Sequence, residues 1–222
     1  MSTSDGGAHG TLALLHTSPV HVPVFEALRD RLHPGIELRH LVAEELLEHA
    51  RAHGPDAVGD AVRDLLDGAV TAGAHAVLCT CSTIGAVAEC AEVGVPVLRV
   101  DRPMAAAAVA AGPRIVVIAT VESTLEPTAG LIREEAAGRE VEVRTVLVEG
   151  AWERFEAGDT DGYVRAVVDT ADTVSGADAI VLAQASMAAA QYLTSTDVPV
   201  LASPEPGLAA AAAAIRGAAQ LP

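Results

Sequence analysis

The run AVLCTCSTIG, residues 76–85, passes from apolar side chains into two thiols and two hydroxyls within a few positions. A cysteine titrates near about 8.5 when free and lower at a helix N-terminus, so a thiol placed there is a nucleophile or a carbon acid/base close to neutral pH. Cys81 leaves an apolar, strand-like run and precedes an expected helix over 84–92, which gives it that setting. Cys79 lies two residues earlier and points to the same side of the strand but deeper, so it is expected to pack in the core. Cys90, among alanines and valines on the following helix, is expected in the core as well. His16 ends another apolar run beside Thr17 and Ser18. It is expected to face a cleft, where its ordinary pKa suits proton transfer. Glu122, in the stretch Thr120-Val121-Glu122-Ser123, is a candidate base. A capping box formed by Ser123 and Glu126 is the alternative use of that loop.

The elements that must position these residues repeat. Gly73-Ala-His-Ala-Val-Leu-Cys-Thr-Cys81 corresponds to Gly176-Ala-Asp-Ala-Ile-Val-Leu-Ala-Gln184 at an offset of 103 (176 − 73), and Val95-Pro-Val-Leu98 recurs as Val198-Pro-Val-Leu201. Thr11–Thr17 matches Arg114–Thr120 at the same offset, and a two-residue shift aligns Glu44 with Glu149. Each half holds four short β-like runs, at 12–15, 36–42, 76–79 and 95–100 in the first, separated by helical patterns such as 24–32 and 57–72. Alternating β and α predicts parallel sheets covered by helices. The expected architecture is thus α/β, with two similar parallel-sheet halves over 10–110 and 111–222 related by pseudo-two-fold symmetry. A flexible stretch over 1–9 precedes them, and the C-terminal helix is free to pack back on the first half. Functional groups in such sheets gather at the carboxyl ends of strands, so a cleft between the halves is expected to collect them. In this scheme Gln184 mirrors Cys81. Thr17, Ser18, Ser82, Thr83, Thr120, Ser123, Gln184, Ala185 and Ser186 are the expected binding residues, with hydroxyls and helix-start N–H groups suited to a carboxylate. Arg102 is the arginine expected near that cleft, or serving the crossover between halves. Glu44 and Glu149 are pocket walls or matched ion-pair residues.

Composition narrows the chemistry. With 222 residues, 50% hydrophobic, the chain is long enough for one good core or two small ones. Its net charge of −16 and the absence of basic clusters exclude nucleic acid and anionic membrane as expected partners. It contains no lysine and no asparagine, which removes Schiff-base catalysis and Walker-type phosphate loops. Three cysteines without a paired framework or a Cys-x-x-Cys motif predict a reducing, cytoplasmic setting without disulfides. The polar, glycine-rich opening has no leader-like apolar segment. No metal site and no cofactor is expected.

The doubled pattern, Cys81-Ser82-Thr83 after the third strand of the first half, and the loop Ala119-Thr120-Val121-Glu122-Ser123 resemble the aspartate/glutamate/hydantoin racemase superfamily over nearly the whole chain. The resemblance implies two α/β halves around a pocket, a catalytic cysteine after the third strand, a small carboxylate-bearing substrate and a homodimer. In that superfamily a second cysteine stands in the second half, where this chain has Leu182-Ala-Gln-Ala-Ser-Met187. Glutamine hydrogen-bonds but does not shuttle protons, so two-thiol racemisation does not transfer. The superfamily also contains single-cysteine decarboxylases, whose cysteine lies in the second half, and isomerases with a nucleophilic cysteine. Two other readings stand beside an isomerase or racemase acting through Cys81: a degenerate small-ligand-binding protein, and a cysteine hydrolase built on Cys81 and His16.

Overall fold

Continuous apolar runs too short for helices form the central strands, and their burial on both faces requires helices above and below. In the computed structural model, which describes residues 10–218, strands β1 (Gly10–His16), β2 (Ile36–Val42), β3 (Ala76–Cys79) and β4 (Val97–Arg99) form one parallel sheet in the order β2-β1-β3-β4. Strands β5 (Arg114–Ala119), β6 (Glu142–Leu147), β7 (Ala179–Leu182) and β8 (Val200–Ala202) form a second in the order β6-β5-β7-β8. The central strands β1, β3 and β7 are buried at every position. The stretch over 1–9 lies outside the described residues.

The offset found in the sequence is present in the hydrogen bonds. His75 N donates to Thr11 O as Asp178 N does to Arg114 O, and Thr80 N donates to Leu15 O as Ala183 N does to Ile118 O, in each case 103 residues apart (114 − 11, 183 − 80). A side chain meets the same backbone N–H in both sheets, His75 Nδ1 that of Thr11 and Asp178 Oδ2 that of Arg114. The two-residue shift enters at the second strand, where Ala43 N meets His16 O and Val148 N meets Ala119 O.

The chain divides into two compact units, one running to Arg99 and resuming at Gly207, the other spanning Val100–Pro206. The boundary therefore falls at the start of the last helix of each expected half, not at 110/111. Helix α5 (Arg102–Ala111), which follows β4, contributes Met104, Ala105, Ala108 and Val109 to the core of the second unit, packed on Ile115, Val117 and Val181. Helix α9 (Pro204–Ala218), which follows β8, returns to the first unit, where a Cβ at Gly10 would collide with Ile215. Glycine at that strand position lets the helix cross β1 in close contact.

In the first unit, helices α2 (Glu44–His53), α3 (Gly59–Thr71) and α4 (Ser82–Glu89) cover one face of the sheet. Helix α3 turns Val62, Leu66 and Ala69 inward at helical spacing onto Val77 and Ala13. Helix α1 (Val22–Leu32) buries Phe25. In the second unit, helix α6 (Leu125–Glu135) joins α5 on one face. Helices α7 (Ala151–Glu156) and α8 (Thr160–Asp172), with a 3-10 segment over Ala185–Tyr192, line the other through Tyr163, Val167, Met187 and Ala190.

Candidate functional site

In the first unit β3 ends at Cys79 and α4 begins at Ser82, so Cys81 is the N-cap of α4 with an extended backbone (φ −107°, ψ 117°). Its side chain is half-buried against the core that contains Cys79. Cys79 is 1% exposed and lies with its Sγ 3.6 Å from the Cys81 carbonyl oxygen, as a core thiol does. Cys90 departs from expectation: helix α4 stops at Glu89, and Cys90 follows as an exposed C-cap. Three sulfurs thus occupy three environments, and the one at the strand's carboxyl end is half-buried at the start of a helix. Thr83 is buried and Ser82 half-buried beside it.

Arg99, which the sequence reading passed over for Arg102, is 4% exposed and pairs in register with Cys79. Its side chain crosses α4 at Gly85, where a Cβ would stand 2.9 Å from its Nε and 3.3 Å from its Cγ. A glycine inside an alanine-rich helix opposite a charged residue in an apolar strand is the sequence signal for this packing. Arg102 instead pairs with Glu134 at 3.0 Å and with Glu135, both on α6, which is a structural role for that crossover residue.

His16 is fully buried rather than open to a cleft. Thr80 Oγ1 donates to Leu15 O at 3.1 Å, so it accepts from His16 Nδ1 at 2.8 Å. In the neutral ring, Nε2 then accepts from His40 Nδ1, also at 2.8 Å. Both nitrogens are committed, and burial, with His21 and His40 nearby, lowers the pKa from 6.5 to about 3. His21, 6.2 Å away ring to ring, is lowered to about 4 by burial, and its Nδ1 has no partner. Thr17 is buried, and Ser18 is the half-buried N-cap of the 3-10 turn Pro19–His21.

In the second unit Gln184 occupies the position of Cys81. It is an N-cap with extended backbone (φ −122°, ψ 140°), opening the 3-10 segment Ala185–Tyr192. Its Oε1 accepts from Thr120 N at 2.7 Å, Thr120 Oγ1 at 3.0 Å and Val121 N at 3.3 Å. Thr120 Oγ1 also lies 3.3 Å from Tyr163 Oη, which lies 2.7 Å from Ser186 Oγ. Tyr163 is fully buried, and burial raises its pKa. Thr120 and Ala185 are buried, whereas Gln184, Ser186 and Ser123 are half-buried. Glu122 is exposed at the start of a 3-10 turn, Glu122–Thr124. The expected capping box is not what begins α6: its N-cap is Thr124, without a side-chain cap bond, and Glu126 pairs with Arg133 at 3.0 Å. Glu44 and Glu149 are exposed.

Among the described residues no group of three or more His, Cys, Asp or Glu side chains is arranged to hold a metal ion. No helix among them is long and apolar enough to cross a membrane.

Two parallel sheets in the same strand order, each delivering polar side chains at the end of its third strand, define an α/β protein of doubled architecture with a thiol at one such end. The Asp/Glu/Hydantoin racemase family model matches residues 23–214, and the chain belongs to that family. Solved structures share the fold at low identity. Allantoin racemase from Pseudomonas fluorescens is 19% identical with a TM-score of 0.67, over 93% of this chain and 90% of that one. Aspartate racemase from Picrophilus torridus is 16% identical with a TM-score of 0.64, over 95% and 94%. A glycine-to-cysteine variant of arylmalonate decarboxylase is 20% identical with a TM-score of 0.63, over 93% and 94%. Comparison with curated proteins gives no match.

Proposed function

We propose that this chain is a cofactor-independent enzyme that uses Cys81 to transfer a proton at a carbon next to a carboxylate or carbonyl group of a small substrate. The Cys81 thiolate takes the proton, and the electron pair left on carbon passes into the neighbouring carbonyl as an enolate. The thiol then returns a proton to the enolate from the same side, at the same carbon in exchange with solvent or at a neighbouring atom in isomerisation. The observation that carries this reading is the contrast at equivalent strand ends: a half-buried thiol at Cys81 and a glutamine at Gln184. Glutamine has no titratable group, so of the two strand ends only the one with Cys81 can take and return a proton. A thiol also adds to electrophilic carbon, but His16 has no free nitrogen to serve a hydrolase dyad.

A second reading is favoured by the single thiol and by the fold shared with arylmalonate decarboxylase. Loss of carbon dioxide from a malonate-like substrate leaves the same enolate, which Cys81 protonates from one face. The test is incubation in D2O with amino acids, hydantoins and malonates, followed by proton and carbon NMR. Deuterium at the α-carbon, or release of carbon dioxide, is expected with the wild-type protein and is lost in Cys81→Ser. Turnover that survives Cys81→Ser contradicts the proposal.

A further inference from the structure

The hydrogen bonds around Gln184 fix which way its amide faces, and with it what a ligand can receive from this strand end. Two of the three donors to Oε1 are the backbone N–H groups of Thr120 and Val121. A backbone N–H only donates, so the atom facing both must be the carbonyl oxygen, and the side-chain NH2 must point the other way. Nε2 has no hydrogen-bond partner among the described residues and is not among their buried unpartnered atoms, so it reaches solvent from a half-buried side chain.

The hydroxyls behind it follow in order. Thr120 Oγ1 carries one proton and gives it to Gln184 Oε1. Thr120 therefore accepts in its 3.3 Å contact with Tyr163, which gives its proton to Thr120 and accepts Ser186's at 2.7 Å. The direction runs from Ser186 through Tyr163 and Thr120 to Gln184. The hydroxyl protons of Ser186 and Thr120 are held inside the unit, although the sequence suggests both as donors to a carboxylate. Gln184 Nε2 retains two outward hydrogens.

We infer that Gln184 is the ligand-binding donor of the second unit, a specificity-determining residue whose amide N–H groups receive a carboxylate or carbonyl oxygen, with its polarity locked by the Ser186–Tyr163–Thr120 chain. The position equivalent to the thiol thus holds a substrate oxygen instead of moving a proton. The assignment deepens the proposed function and rests on that reading in its choice of ligand chemistry.

The test uses a property of the sequence. The chain has three glutamines and no asparagine, so the side-chain amide region of its proton–nitrogen correlation spectrum holds three NH2 pairs, and Gln184→Glu removes one. Titrating the labelled full chain with glutamate of either hand and with hydantoin is expected to shift the Gln184 pair saturably, in the wild type and in Cys81→Ser alike. Gln184→Glu keeps an oxygen for the three inner donors but turns an acceptor outward, and is expected to weaken binding of glutamate at least about tenfold. A Gln184 pair unmoved by every probe overturns the assignment, whether or not other resonances move. So does a folded Gln184→Glu protein that binds glutamate as tightly as the wild type. If that variant does not fold, backbone-assigned titration of the wild type decides the matter. The outcome is separable from the catalytic reading: Cys81-dependent deuterium exchange with an unmoved Gln184 pair sinks only this assignment, and a shifting pair without exchange sinks only the chemistry.

Discussion

Cys81 differs from the other two thiols in its setting, half-buried at the N-cap of α4. Cys79 is sealed in the core at 1% exposure, and Cys90 is exposed at the end of α4. Cys81→Ser is therefore expected to lower turnover by at least about a thousandfold, since hydroxyl and thiol differ so widely in acidity. Cys90→Ala should leave turnover within about twofold. Because Cys90 is exposed, alkylation of the wild type should mark two sites, and mass mapping in the Cys90→Ala background should then find Cys81 alone. Reaction at Cys79 instead would show that β3 ends elsewhere. The sequence puts Cys81 between a strand-like run and a helix, and the structure has it between β3 and α4. The sequence misplaced Cys90 because α4 ends at Glu89 and not at 92, and it missed Arg99 because that packing depends on a cross-element contact with Gly85.

At the scale of elements, two packings carry measurable consequences. Gly85 admits the buried Arg99 side chain against α4. Gly85→Ala brings a methyl group into contact with it and is expected to destabilise the protein by about 1–3 kcal/mol despite alanine's better helix propensity. Denaturant unfolding would measure this, and a stabilised variant would contradict the close approach. The second packing is the imidazole cluster beside α1, where His16 hydrogen-bonds Thr80 and His40, and Glu26 lies 3.9 Å from His40 Nε2. The folded-state pKa values of His16 and His21 are depressed, to about 3 and about 4. Protons therefore bind the unfolded chain first, so stability is full above the unfolded value of about 6.5 and is lost as pH falls below it. At pH 5 the His16 contribution is down by about 2 kcal/mol, from 1.5 units below 6.5 at 1.36 kcal/mol each. Melting temperature against pH should fall through this window. In His16→Gln the fall should be shallower. Equal slopes would show that His16 is protonated in the folded protein. Alternation along β1 predicts the side of the sheet for His16, but which helix covers that side is not a local property, and the expectation of an open histidine failed there.

At the scale of the whole chain, repetition was the most legible signal because it needs no knowledge of tertiary contact. An offset of 103 read from similar residues recurs in backbone hydrogen bonds of both sheets, and the position of Gln184 opposite Cys81 in that alignment recurs as the same N-cap with the same extended backbone. The exchange of final helices was less legible. Alanine-rich segments such as 102–111 and 204–218 carry similar apolar faces and give no sign of which sheet they cover. Gly10, whose missing Cβ admits Ile215, is the local trace of that choice.

Proton transfer at carbon by one thiol on one face is measured most directly through the stereochemical course in D2O. For whichever substrate shows exchange, each enantiomer is incubated separately, and deuterium content and configuration are followed together by NMR and chiral chromatography. Deuterium is expected to enter one enantiomer with retained configuration, without conversion to the other at a comparable rate, and the exchange is expected to be lost in Cys81→Ser. Racemisation of both enantiomers at the rate of exchange would overturn this, because a second proton donor would then be acting on the opposite face of the substrate.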